Sequence, residues 1–420
     1  MRRSWLVLLI VFLIVLAEAL ATGRRLFFNL TYLLAAIISV SYFWSWSNIH
    51  HLRILRQTRS HRSQVGETVE ERFLIRNQSG LPKLWVEVRD HSDLPEHHAS
   101  WVVNSLGPRR SRGWATRTVC RRRGRFRLGP ITLISSDPFG LFERREQLPA
   151  TSSVVVYPLT VDLQHFRLPS GEIPGGGTMR RRTHHITTNV RGVRDYAPGD
   201  SFNRIHWPST ARTGRLIVKE FELDPTADVW LILDMQGGAQ ADLLWKEQAD
   251  DVHPLWPKRS TLEPSTEEYA VSIAASLAKH FLAHNRAVGL IAYGQRREVI
   301  APDRGDRQLT KVMETLAVIR ATGTIPVAQI IAAEGKSLGR NTSVVVITPS
   351  DDMQWVSSLR DLRRRGIYGL GIVLDAPTFG RQANTGAILA ALSQSGIYSY
   401  RVQEGAPLAA ALSRCHSDAS

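Results

Sequence analysis

Cysteine is nearly absent: Cys120 and Cys415 are the only two in 420 residues, and they stand far apart. That excludes a disulfide framework and a zinc site built on thiolates, and it fits a reducing compartment. Phosphate-binding glycine patterns are missing as well. No G-x-G-x-x-G follows the apolar run at 227–234, and no G-x-x-x-x-G-K-[ST] occurs, which argues against a dinucleotide or P-loop site. Gly175-Gly176-Gly177 follows Pro174 with no strand before it and reads as a hinge. There is no G-x-S-x-G nucleophile elbow. Acidic charge is in short supply, 38 Asp and Glu against 53 Lys and Arg for a net +15. The arginine excess lies mostly before residue 220 and suits an anionic partner: a membrane surface, nucleic acid or an acidic protein.

What is present begins with two long apolar runs, WLVLLIVFLIVLAEALAT at 5–22 and LFFNLTYLLAAIISVSYFWSWS at 26–47. Each approaches the ~20 residues that cross a hydrocarbon core. Tyr42, Phe43, Trp44 and Trp46 close the second run as an interfacial aromatic belt. A signal peptide cleaved at Ala17-Glu18-Ala19 is the rival, but the second run follows too closely. Arg2, Arg3, Arg53, Arg56, Arg59 and Arg62 flank the pair outside, against Arg24 and Arg25 in the turn. The balance puts both ends and the soluble part in the cytoplasm, on a plasma-membrane anchor with two helices.

From about residue 63 short alternating stretches follow, among them VEERFLIRN (69–77), LWVEVRD (84–90), GWATRTVC (113–120), GRFRLGPITLIS (124–135) and SSVVVYP (152–158). NQSGLP, LGPRR and SDPFG supply turns. This spacing predicts an antiparallel β sandwich. In RRRGRFRLG (121–129) alternation sets Phe126 and Leu128 on one face, Arg125 and Arg127 on the other. The run reads as a solvated face or a contact to anionic lipid headgroups, ahead of a nucleic-acid patch. Beyond residue 226 the pattern changes to buried-strand runs, ADVWLILD, AVGLIAYG, TSVVVITP and YGLGIVLD, alternating with helical patterns. That predicts a Rossmann-like, mostly parallel sheet covered by helices on both faces. Residues 235–262 read as a long loop at the carboxyl edge of that sheet, where such folds bind ligands.

One segment has the composition of a site: RDYAPGDSFNRIHWPSTARTGRL, residues 194–216, dense in arginine, acids, His206 and Trp207. Extended to 191–224 it carries G-x-R-x-Y-x-P-G-D, then R-I-x-W, then A-R-x-G-x-L-x-V-K-E. This closely resembles the signature of the bacterial domain of unknown function 58 family, as do RGRFRLGP at 123–130 and DPFGLF at 137–142. The resemblance implies a membrane hairpin, a β domain, the signature and a von Willebrand factor A-like domain. It also implies partnership with a MoxR-type AAA+ ATPase in assembly, maturation or stress response, without established enzymatic activity. The expected order is a transmembrane hairpin at 1–48, a basic juxtamembrane linker at 49–62, a sandwich-like domain at 63–165, and a flexible linker at 166–190. The signature junction follows at 191–224, and the A-like α/β domain at 225–420.

A von Willebrand A domain holds a divalent cation through D-x-S-x-S, a later Thr and a further Asp; here Asp234-Met235-Gln236-Gly237-Gly238 keeps only the aspartate, and Pro349 stands where the later Asp is expected. Asp234 with Asp351 or Asp352 is the remaining candidate set, for Mg²⁺; no other cofactor is expected. In the signature, Asp195, Asp200 and His206 with Ser201, Ser209 or Thr210 lack the context of a catalytic motif. Two readings fit it better: an ion-paired domain junction, or a surface that grips an acidic partner. Both use Arg194, Asp195, Tyr196, Asp200, Arg204, Trp207, Arg212, Lys219 and Glu220. In the junction reading Ile205 and Trp207, two apart, bury one face of an extended segment. The expected function is a non-enzymatic membrane adaptor; the alternatives are a metal-dependent hydrolase or ligand-binding protein centred on Asp234, and a basic envelope or nucleic-acid-binding protein.

Overall fold

The computed structural model describes residues 4–149, 151–164, 166, 190–196, 205–221, 228–243, 262–339 and 342–413. They fall into two compact units. One is Met1–Val161 with Leu243–Ser276 and Thr310–Arg320; the other is Asp162–Asp242 with Leu277–Leu309 and Ala321–Ser420.

The first unit opens with α1 (Ser4–Thr22) and α2 (Arg25–Ile49), which pack on each other and are long and apolar enough to cross a membrane. Gly23, at φ 65°, ends α1 by donating its N–H to Ala19 O at 3.1 Å. Most side chains of both helices face outward, but Ser41, Ser45, Asn48 and Ile49 on one stripe of α2 are buried. Ten strands follow: β1 (Leu52–Thr58), β2 (Arg62–Gln64), β3 (Thr68–Asn77), β4 (Lys83–Asp90), β5 (Trp101–Leu106), β6 (Ser111–Val119), β7 (Gly124–Leu128), β8 (Ile131–Ser136), β9 (Glu143–Leu148) and β10 (Ser152–Tyr157). They form sheets β1-β3-β6, β5-β4-β8-β9 and β2-β10-β7. The first two share one core, Phe73 and Ile75 against Val86, Val88, Val103, Ile131 and Leu133. Phe73 also stacks on its cross-strand partner Trp114 at 5.1 Å. Val65, Leu128, Val154 and Val156 build a second cluster with the buried thiol of Cys120.

The basic linker expected at 49–62 is instead largely β1, paired antiparallel along its length with β3. Its inward positions are Leu52, Ile54, Arg56 and Thr58. Arg56 disguises the alternation, because its charge is neutralised inside. Its guanidinium forks onto Glu71 at 2.9 and 2.6 Å and donates to Asp90 at 2.9 Å, with all three side chains at most 3% exposed. His97 Nε2 lies 3.0 Å from Glu71, and Thr58 donates to the same carboxylate at 2.8 Å. Burial alone would raise the Glu71 pKa; the hydrogen bonds from His97 and Arg56 outweigh it and hold the carboxyl at about 2.

In the second stretch β11 (Val190–Asp195), α3 (Trp207–Thr213) and β12 (Ile217–Phe221) precede β13 (Val229–Leu233). Then come α4 (Thr266–Ala283), β14 (Val288–Tyr293), β15 (Arg297–Asp303), α5 (Asp306–Val318), α6 (Val327–Glu334), β16 (Ser343–Thr348), α7 (Gln354–Arg364), β17 (Tyr368–Leu374), α8 (Thr385–Gln394), β18 (Tyr398–Val402) and α9 (Leu408–Ala411). Six strands make one sheet in the order β15-β14-β13-β16-β17-β18, parallel except for the β14–β15 pair. Numbered within the sheet this is 3-2-1-4-5-6, the doubly wound order, with the direction in which successive strands are added reversing between β13 and β16. Ile330, Ile331, Trp355, Leu359, Ile388 and Leu392 from α6, α7 and α8 bury one apolar layer with Ile232, Val344 and Val346.

The run RRRGRFRLG is not a solvated basic face throughout. Arg125 and Arg127 are exposed, as alternation requires, but the side chain of Arg123 is fully buried. Within the first unit it donates to Leu316 O at 3.1 Å, Ile319 O at 2.7 Å and Glu267 at 2.6 Å, and pairs with Glu268. Arg320 bridges the same two carboxylates and donates to Arg123 O at 3.2 Å. Arg121 pairs with Glu96, and Arg122 with Glu263. Arg121, Arg122 and Arg123 are thus paired with carboxylates, while Arg125 and Arg127 stay at the surface.

Two measurements check these ion pairs by thermal melting of the full chain in detergent. Arg123→Leu strands two carboxylates and should cost about 3–5 kcal/mol; Arg123→Lys should recover only part, because one ammonium cannot fork to four acceptors. For Glu71 the folded pKa lies below its ordinary 4.5, so its stabilisation is full above pH 4.5 and lost as pH falls toward 2. Glu71→Gln should cost on the order of 3 kcal/mol at pH 7, and the gap between variant and parent should close in acid.

Candidate functional site

The signature folds as a hairpin with a helical insert. β11 and β12 pair antiparallel, with Arg194 opposite Val218, Asp195 opposite Ile217 and Glu220 opposite Gly192. Tyr196 N–H donates to Leu216 O at 2.8 Å and His206 N–H to Ile217 O at 2.7 Å, so the chain returns beside β12 through a bridge at Ile205–Val218. Pro208 then starts α3 in its first turn, and Gly214, at φ 68°, ends it by donating to Thr210 O. The local hydroxyls serve this turn. Thr210 Oγ1 accepts from Ile217 N at 3.0 Å, Thr213 Oγ1 donates to Ser209 O at 2.8 Å, and Ser209 Oγ sits 2.7 Å from His206 Nδ1.

This corrects the extended segment expected to bury Ile205 and Trp207 together. Ile205 is buried, but Trp207 opens α3 and is 65% exposed, because the turn at Pro208 breaks the two-residue alternation. Arg212 is exposed in the last turn, and α3 buries none of its own residues. Asp195 is exposed and Tyr196 half-buried. Arg194, Lys219 and Glu220 are described as strand backbone only, and Asp200 and Arg204 lie outside the described residues.

A second constellation lies at the switch point between β13 and β16. Asp234, immediately after β13, has no exposed surface. Its Oδ1 accepts from Gln236 N at 3.0 Å and its Oδ2 from Thr348 Oγ1 at 2.6 Å, at the end of β16. Thr348 Oγ1 in turn accepts from Ser350 N at 2.9 Å. Gln240 donates to Asp234 O at 3.0 Å. Gly237 N–H and Gly323 N–H donate to Gly323 O and Met235 O, both at 2.9 Å. Only glycine fits at 323, since a Cβ there would fall 2.1 Å from Tyr293 O. Over this frame Arg381 donates to Ala239 O and lies 3.8 Å from Asp351. Burial pushes the Asp234 pKa up to about 6, against the opposing pull of Thr348, the Gln236 N–H and the Arg381 charge.

The three acids considered for Mg²⁺ are not brought together. Both oxygens of Asp234 are engaged by donors, Asp351 faces Arg381, and Asp352 Oδ1 accepts from Gln354 N at 2.9 Å at the start of α7. Among the described residues no three His, Cys, Asp or Glu side chains form a cluster able to hold a metal ion. A hard cation needs several convergent oxygens; here a guanidinium occupies the rim instead. Thr348 and Arg381 were not read from sequence. Thr348 looks like the last residue of a buried strand, and Arg381 lies over a hundred positions from Asp234, so nothing local marked either.

The buried acid has a measurable consequence. Its folded pKa, about 6 against an ordinary 3.8, means folding is disfavoured progressively as pH rises from 4 to 6 and fully above that. Asp234→Asn keeps an acceptor and a donor for Gln236 and Thr348. In thermal melts from pH 4.5 to 7.5 the parent should lose stability relative to this variant, by about 2–3 kcal/mol in total.

Comparison with known proteins bears on the stretch that holds both constellations' first residues. The chain is 23% identical over 233 residues to the uncharacterized protein YeaD of Bacillus subtilis, a match that covers 54% of this chain and 50% of that one. This chain thus spans about half the length of that relative. Among solved structures it is similar to the conserved hypothetical protein BatB of Bacteroides thetaiotaomicron, with a TM-score of 0.30 at 16% identity, covering 44% of this chain and 95% of that one. It is also similar to the CARDB domain of PF1109 from Pyrococcus furiosus, with a TM-score of 0.20 at 19% identity, covering 25% and 94%. Residues 192–243, from the signature hairpin through Asp234, match the family model described as protein of unknown function DUF58, and with the YeaD likeness this supports placing the chain in that family.

Proposed function

We propose that the chain is a non-enzymatic adaptor, anchored by α1 and α2, that docks a MoxR-type AAA+ ATPase or that ATPase's client in assembly, maturation or stress response. The observation that carries this reading is α3, a helix that buries none of its side chains and sets Trp207 and Arg212 at the surface. An isolated helix of seven residues has no intrinsic stability in water; here Pro208, Gly214 and the β11–β12 ladder hold it. Tryptophan and arginine dominate the hot spots of protein interfaces, and an exposed tryptophan on a backbone-built platform is placed to fill a partner's pocket.

The switch-point edge supports the same reading. Where a von Willebrand A-like domain would recruit a partner's carboxylate through a divalent cation, this edge carries the Arg381 guanidinium. It is half-buried and fixed by Ala239 O, so it brings its positive charge without a metal. Acidic groups on the ATPase or client are the matching chemistry. The arginine excess outside the hairpin keeps the soluble part on the cytoplasmic side, where an ATPase would meet it.

The test is capture of the cognate ATPase by the full chain in detergent, with thermal melting alongside. Trp207→Ala and Arg212→Glu should each weaken capture by tenfold or more, as losing about 2 kcal/mol at a hot spot does, while leaving the melting temperature essentially unchanged. Undiminished capture by both variants would sink the reading.

A further inference from the structure

The structure places the DPFGLF element beside the second apolar helix. The side chain of Asp137, in the β8–β9 turn, accepts from Phe139 N at 3.0 Å and Phe142 N at 2.6 Å, and its own N–H donates to Phe142 O at 3.2 Å. That knot holds Phe139 out, 63% exposed, and sets Phe142 edge-on against Tyr42 of α2 at 5.8 Å. Arg144, on β9, stacks its guanidinium 4.9 Å from the same Tyr42 ring. A second contact lies further along α2. Asn48 bonds both backbone groups of Leu84, at 2.8 and 3.2 Å, and the buried Lys83 donates to Ser47 O. The next residue, Trp85, left out of the β4–β5 pairing, takes a left-handed conformation, φ 54°, and is 68% exposed. A bulky residue is disfavoured at positive φ.

Helix length fixes the depth of these groups. With the Arg24–Arg25 turn in the far headgroups, Tyr42 lies about 26 Å along α2, just inside a hydrocarbon core of ~30 Å. Asn48 lies about 35 Å along, in the near headgroup layer. Phe142 and Arg144 are thereby tied to the acyl boundary, and Trp85 to the headgroups. Tyr42, Phe43 and Trp46, all exposed on α2, ring the same level.

We propose that the β8–β9 turn and the exposed Trp85 are seated in the interfacial layer of the bilayer, so that the sandwich is a membrane-embedded collar around the end of α2. Phe139 reaches the acyl boundary, Trp85 lies among the headgroups as interfacial tryptophans do, and Arg144 extends its charge toward lipid phosphate. This rests on the membrane-spanning reading of α1 and α2, which supplies the continuity of the surface.

The experiment uses the full chain in lipid nanodiscs, with Cys415→Ser and the buried Cys120 retained. A nitroxide is placed singly at Trp85→Cys, Phe139→Cys, Leu33→Cys on the exposed face of α2, or Thr68→Cys. Thr68 is exposed and lies at the far end of β3, about 30 Å of strand from Asn77, which pairs with the first residue of β1 after α2. Collision rates with oxygen, enriched in lipid, and with a water-soluble nickel chelate give the depth of each label. The ratio of oxygen to nickel collisions should be high at 33 and severalfold above that of 68 at both 85 and 139. A high ratio at 33 with 85 and 139 matching 68 would overturn the collar and leave the helices spanning. A ratio at 33 matching 68 would overturn the membrane-spanning reading and the collar with it.

Discussion

A guanidinium with no exposed surface can exist only where acceptors meet it on every side, and Arg123 imposes that demand on the first unit. Two carboxylates from the start of α4 and two carbonyls near the end of α5 answer it, from segments more than 140 residues away in the chain. Each of these groups is costly to bury alone, so the arrangement is mutually conditional: displacing any one segment leaves charge or a carbonyl without a partner. Arg320 extends the set by tying the same carboxylates to the Arg123 backbone. Such a network specifies one arrangement of three segments more strictly than an apolar contact of the same area, because a misaligned guanidinium loses directional bonds rather than a fraction of buried surface.

The same logic recurs at smaller scale. Arg56, Glu71 and Asp90, with His97 against Glu71, sit inside the sandwich as a closed polar group, and Arg56 lies over the Phe73 ring. Asp234 sits under the switch point, bonded to Thr348 and backbone. In each case a residue type that reads as surface or as site in one dimension is structural in three. The groups left at the surface are of another kind: the exposed Trp207 and Arg212, and the Arg381 rim with its loose 3.8 Å pairing to Asp351.

How much was legible follows from this. The two apolar helices are announced by length alone, since nothing but hydrophobicity is needed to make them. β13, β14, β16 and β17 are equally plain, being central strands buried on both faces. The edge strands β15 and β18 were missed because REVIAPD and YSYRV carry half-polar edge patterns, and β9, ERREQL, because its charges hide any alternation. β1 was taken for a linker since Arg56 stands where an apolar residue should, and its partner Glu71 is visible only once β3 is paired. In the signature, spacing located the segment, but Pro208 turned an expected strand into a helix and put Trp207 outside. The metal ligands failed for a related reason: three acids near one sheet edge do not imply three acids facing one point.

The end of α2 has one more consequence, for how the polypeptide is made and how it can be cut. The Ser47 carbonyl and the Asn48 amide near its end are satisfied by Lys83, Leu84 and Ser135, groups that belong to strands translated later. The helix leaves the ribosome with its last turn incomplete, and the sandwich finishes it. A soluble fragment that begins after residue 50 inherits the converse defect: a buried lysine with no carbonyl, an open Leu84 amide and a bare patch where Ile49 packed. The useful boundary for excising the soluble part therefore lies inside α2, upstream of Ser41, so that the buried stripe Ser41, Ser45, Asn48 and Ile49 is kept.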